Sequence, residues 1–135
     1  MIRAVHVDRR ELLAILVGGF VGALARAEIG VAIAHGSGAW PWATLLVNVT
    51  GAVILGYAVT RLSERLAPTA YWRPLLGTGL CGALTTFSTM QVELLTMLDR
   101  GRVGLAIGYA AASIAAGFVG VAVATKLVRR ATVMP

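Results

Sequence analysis

Apolar residues run in four long stretches along the chain, and polar ones collect in the short segments between them. The stretches cover residues 12–34, 42–62, 72–98 and 103–128. A helix that crosses a bilayer needs about 20 mostly apolar residues, so each stretch is long enough. Breakers or charges bound them: Gly36-Ser37-Gly38 with Pro41, then Pro68 with Arg73 and Pro74, then Asp99-Arg100-Gly101-Arg102. Backbone groups in lipid must be satisfied within their own segment, which makes helices of all four. The pattern predicts one all-α membrane domain over residues 1–135. The first stretch is too long for the core of a signal peptide, and three more spans follow it.

Small residues recur at helical spacing. Gly104, Gly108, Ala112, Ala116, Gly120 and Ala124 stand four apart in the fourth span. Gly18 and Gly22 do so in the first, with Gly30 and Ala34 further on, and the second carries Gly51 and Gly56. Helices in lipid associate through such residues, because apolar burial gives little advantage there. Four short spans enclose a pathway poorly by themselves, so an oligomer is expected.

Composition agrees: 58% of the 135 residues are hydrophobic, against about 45–50% in a soluble domain. The net charge of +6 does not point to nucleic acid, because the basic residues flank the spans, where topology and phospholipid contact use them. Arg3, Arg9, Arg10, Arg61, Arg65, Arg73, Lys126, Arg129 and Arg130 fall on one side of a four-span topology. Only Arg100 and Arg102 fall on the other, which predicts cytoplasmic termini in a bacterial-type inner membrane. The single cysteine, Cys81, makes no intrachain disulfide or thiolate metal site; a small buried residue is the simple reading. His6 and His35 lie outside the spans, with no zinc or catalytic constellation near them, and no nucleophile–base set marks an enzyme.

The polar residues at membrane depth carry the chemistry. Thr85, Thr86, Ser88 and Thr89 crowd the third span behind Gly77, Gly79 and Gly82. Glycine and threonine are weak helix formers, so a break near Gly82–Thr86 is expected. Broken helices expose carbonyls that hold cations and N–H groups that hold anions. The alternative is that each hydroxyl bonds back to the carbonyl one turn earlier. In the second span Asn48 follows Thr44 by one turn; its amide offers two donors, either to an anion or to a neighbouring helix. Arg26 either raises local anion concentration or is structural, as an ion-paired or snorkelling side chain. Glu28 and Glu93 read as ion-paired or snorkelling side chains. Tyr109 and Ser113 share a face of the fourth span and either extend a polar track or bond a neighbour.

These residues resemble a family. Gly18-Gly19-Phe20-Val21-Gly22-Ala23 with Arg26, Thr44 through Gly51, and Gly79 through Thr89 followed by Glu93 are similar to the three span motifs of the CrcB/Fluc fluoride channels. The resemblance implies a dual-pore channel of two antiparallel subunits that exports fluoride passively. It implies a structural sodium ion at the dimer centre, held by backbone carbonyls that fall here on Gly82 and Thr85. It places Asn48 and Phe87 on the fluoride pathway, beside the hydroxyls of Thr86, Ser88 and Thr89. The edges of a phenylalanine ring are positive and can face an anion. Met90 stands where the family commonly has a second pore phenylalanine, which is one departure. The strong charge bias is another, because a dual-topology homodimer needs a weak one; some family members occur as paired homologous subunits of fixed opposite orientation. Two other readings explain less. A small multidrug exporter needs an unpaired carboxylate and aromatic walls, whereas Glu28 lies near Arg26 and only 7% of residues are aromatic. A non-transporting scaffold leaves the hydroxyl cluster without a role.

Overall fold

The computed structural model describes residues 8–36, 38–65 and 71–131. The breakers Ser37 and Pro68, together with Arg3 and His6, lie outside the described residues. Among the described residues, three helices are long and apolar enough to cross a membrane: α1 (Arg9–Ala32), α2 (Trp42–Arg65) and α5 (Val103–Arg130). At 1.5 Å per residue the shortest reach about 36 Å, more than the ~30 Å hydrocarbon layer. The third apolar stretch is composite. A π-helix covers Pro74–Cys81, a single turn α3 covers Gly82–Leu84, and α4 covers Phe87–Asp99. Thr85 and Thr86 between them have extended backbone, with φ/ψ of −79°/152° and −145°/109°.

Asp8 starts α1 before the expected Leu12. Its Oδ1 accepts from the N–H of Arg10 at 2.9 Å, as an N-cap should, and its Oδ2 accepts from the Tyr71 hydroxyl at 3.0 Å. That second bond ties the start of α1 to the segment leading into the π-helix.

The tightest packing is between α1 and the π-helix, and it is backbone against backbone. A methyl group placed on Gly18 would overlap the carbonyl of Leu75, and one on Gly22 would overlap the carbonyl of Leu80. From the other side, a methyl on Gly79 would come within 2.6 Å of the Ile15 carbonyl and 3.0 Å of the Gly18 Cα. The first-span glycines are therefore a contact surface, and the wide π turn supplies the opposing one.

Helices α2 and α5 form the second pair. Gly56 lies under Val121, Gly120 lies under Val53, and the Thr60 hydroxyl sits 3.2 Å from that of Thr125. Only the C-terminal part of the small-residue ridge on α5 is used in this way. Gly104 has open space beside it, and Gly108 meets only the Trp40 ring, at 3.9 Å.

Helix α4 turns into α5 through a Schellman motif: Arg102 N–H bonds Met97 O, Gly101 N–H bonds Leu98 O, and Gly101 takes φ +69°. Arg102 Nη1 then donates to the Gly38 carbonyl at 2.9 Å, which fastens the α1–α2 loop to this end. Met97, Ala106 and Tyr109 form a buried cluster there, with Trp40, Leu45, Met90, Leu94 and Leu105 packed on it. Large apolar side chains such as Phe20, Phe87, Ile114 and Phe118 stay mostly exposed, the inverse of a soluble protein and the surface of a chain solvated by lipid or a partner.

Gly18→Val is expected to destabilise the fold by about 3 kcal/mol or more, since two backbones must separate. Gly30→Ala, with nothing within 4 Å, should not destabilise it; thermal unfolding in detergent compares the two. The Arg10 N–H, then the Tyr71 hydroxyl, hold the Asp8 carboxyl below its ordinary pKa. A depressed carboxylate stabilises above the unfolded-state pKa and loses that effect as pH falls through the folded one. Asp8→Ala should therefore lower the melting temperature near pH 7, with the difference closing as pH drops below about 4.

Candidate functional site

The extended pair at Thr85–Thr86 is held by a side chain from α2. Asn48 Oδ1 accepts from the Thr86 N–H at 2.8 Å, and Asn48 Nδ2 donates to the Thr86 carbonyl at 3.2 Å. The carboxamide thus acts as a short piece of neighbouring strand. One amide hydrogen is used, and the other remains outside the pairing. Gly51, one turn on, leaves room for the Thr85 methyl, which would collide with any Cβ at that position.

The next turn is organised by hydroxyls. Thr86 caps α4 by accepting from the Thr89 N–H at 3.2 Å, and it donates to the Thr89 hydroxyl at 2.8 Å. The Ser88 hydroxyl lies 3.4 Å from that of Thr86. Thr85 instead bonds back to the Cys81 carbonyl at 2.9 Å, as isolated helical threonines do. These side chains divert particular backbone donors. In a continuous helix the Thr86 N–H would bond Gly82 O, and the Thr89 N–H would bond Thr85 O. Asn48 takes the first and the Thr86 hydroxyl takes the second.

A second polar knot lies two turns along α4. Glu93 Oε1 accepts from the Thr44 hydroxyl at 2.5 Å, and Oε2 accepts from the Tyr109 hydroxyl at 2.8 Å. His35 Nε2, on the α1–α2 loop, is 3.9 Å from Glu93 Oε1. Three elements therefore converge on one carboxylate that the sequence presented as an ordinary ion-pairing residue. That Thr44 and Asn48 share a face of α2, one turn apart, is legible in the sequence; that they meet Glu93 on α4 and Thr86 just before it, and that His35 comes beside Glu93, is not.

Two cavities flank these knots. One, of about 200 Å3, is lined by Arg26, Gly30, Ala43, Thr44, Val47, Thr86 and Thr89. The other, of about 260 Å3, is lined by His35, Gly38, Ala39, Val92, Glu93, Thr96 and Met97. Thr44 lines the first cavity together with Arg26 and bonds the Glu93 carboxylate that lines the second.

Of the residues singled out from sequence, Asn48, Thr85, Thr86, Ser88, Thr89 and Gly82 gather at the extended pair, and Arg26 shares a cavity with two of them. Tyr109 joins the Glu93 knot instead. Ser113, one turn later, has a buried hydroxyl with no hydrogen-bond partner among the described residues, as does the Trp40 indole N–H. Trp40 meets Tyr109 edge-on with ring centroids 5.6 Å apart. Phe87 is 70% exposed on the subunit surface, and Met90 packs on the Met97–Tyr109 cluster.

Comparison with known proteins places this arrangement. A profile described as CrcB-like protein, Camphor Resistance (CrcB), matches residues 13–125. A protein of Mycolicibacterium paratuberculosis named fluoride-specific ion channel FluC 1 is 57% identical over 126 residues, covering 93% of this chain and 96% of the relative. A Mycobacterium bovis protein of the same name is 54% identical over 91% of this chain and 93% of its own length. Nocardia farcinica has one named fluoride-specific ion channel FluC 2, 40% identical over 96% of this chain and 93% of the relative. A match of this extent, on a multi-pass membrane chain whose motifs meet in space, makes the protein a member of the CrcB-like family.

Proposed function

We propose that the protein is a fluoride channel that lets the ion leave the cell passively, as part of an antiparallel dimer. The observation that carries this reading is the gathering of Arg26, Thr44, Thr86 and Thr89 around one cavity, with Thr44 and Tyr109 both bonded to Glu93, in a protein whose relatives are named as fluoride-specific channels. Fluoride holds its water strongly, so a selective route must replace hydration with many donors. Hydroxyls, the free amide hydrogen of Asn48 and the Arg26 guanidinium are donors of that kind. A dimer fits the exposure of Phe87 and Ser88, which line neither of the two cavities within the subunit.

The diverted donors support a sodium ion at the break. The carbonyls of Gly82 and Thr85 are the two whose helical partners are captured by side chains. Two such oxygens from each of two subunits make a four-oxygen set suited to a hard monovalent cation. When bound, the ion would join the two extended segments and add positive charge beside the anion route. It is structural in this reading and is not transported.

Fluoride efflux from liposomes holding this chain alone should be fast, and Asn48→Ala should lower it at least a hundredfold, because the Thr86 N–H and carbonyl lose their partner together. Absence of efflux from folded wild-type chain that a homologous partner subunit restores would make it one member of an oppositely oriented pair, in keeping with its charge bias. Absence that no partner restores would overturn the channel reading. Replacing sodium throughout with N-methylglucamine should reduce efflux at least tenfold, and unchanged efflux in sodium-free buffer would remove the ion from the proposal.

A further inference from the structure

The Glu93 carboxylate sets a problem for an anion route. It accepts from two neutral hydroxyls, Thr44 and Tyr109, and neither cancels its charge. Its side chain is 14% exposed, so water screens it only partly. A carboxylate among the residues lining a cavity repels an incoming anion. The group placed to offset it is His35, 27% exposed, with Nε2 at 3.9 Å from Oε1 and lining the same cavity. That distance is too long for a hydrogen bond and suits an electrostatic contact that depends on the charge of the ring. Imidazole is the side chain whose charge ordinarily changes between pH 5 and 8.

We propose that His35 is a charge-compensating residue in the lining of the Glu93 cavity, so that fluoride passes faster when its imidazole is protonated. The inference rests on the fluoride reading above and adds a control that the channel motifs do not contain. Protonated, the ring turns the Glu93 site from negative to neutral overall and offers an N–H to an anion in the cavity. Neutral, it contributes no charge to offset the carboxylate. Arg102 donates to Gly38 O, the Arg100 side chain lies against Gly38, and both keep their charge over this range. Helix α2 contributes Thr44 and α5 contributes Tyr109, neither of which titrates there. Among the described residues that line this cavity, His35 and Glu93 are the two ionisable side chains.

The test is fluoride efflux from liposomes containing the conducting assembly, with the same buffer inside and out at pH 6 and pH 8. Leak from protein-free vesicles is subtracted at each pH. Wild type should run at least fivefold faster at pH 6, and His6→Gln, which removes the only other histidine, should keep that ratio. His35→Gln should reduce the ratio to below twofold. His35→Arg, with a permanent positive charge, should be fast at both values, a rescue that a packing role would not produce. A wild-type ratio near one, or an unchanged ratio in His35→Gln, overturns the inference while leaving the channel reading intact. No efflux from any assembly at either pH overturns the channel reading and this inference with it.

Discussion

The pairing of the Asn48 carboxamide with the backbone of Thr86 is the interaction on which the rest of the structure depends. A chain segment that leaves helical geometry in a membrane protein exposes an N–H and a carbonyl that lipid cannot satisfy. Asn48 meets both with one planar group, at 2.8 and 3.2 Å. Because those partners come from a side chain, the carbonyl of Gly82 loses its helical donor without leaving the donor unpaired. The Thr86 hydroxyl repeats the device one turn later for Thr85. Remove the amide, and the extended pair must either rewind into helix or sit unsatisfied.

Placement of that pair depends on the glycines around it. The π-helix reaches α1 closely enough that its carbonyls occupy the space of absent side chains at Gly18 and Gly22. Gly51 does the same for the Thr85 methyl on the α2 side. The composite third segment is therefore held between α1 and α2 by shape, and the direction of its hydroxyls follows. Helix α5 braces the far end, where its Tyr109 and the α2 residue Thr44 fix Glu93. Two polar knots, one at the extended pair and one at Glu93, lie along the subunit, and Thr44, bonded to Glu93, lines a cavity with Thr86 and Thr89.

The long apolar runs determined by themselves that this is a multi-pass helical membrane protein, because span length and backbone satisfaction in lipid leave few alternatives. The glycine and threonine content of the third run likewise marked it as the place where helix would be weakest. The partners were decided by tertiary structure alone. Asn48 was compatible with an anion or a neighbouring helix, and the close approach of α2 commits its oxygen and one hydrogen to Thr86. The six-position ridge on α5 read as one surface, yet only Gly120 and Ala124 of it are fully buried within the subunit, where Gly120 meets Val53 and Ala124 lies beside Gly56 of α2. Glu93 looked like an interfacial charge and His35 like a loop residue. They meet because Arg102 ties the loop at Gly38 to the α4–α5 turn, a contact between positions 64 residues apart. Local pattern records what each segment can bury and how it can wind; which polar group answers which other is a property of distances between segments, and those are set only when the helices pack.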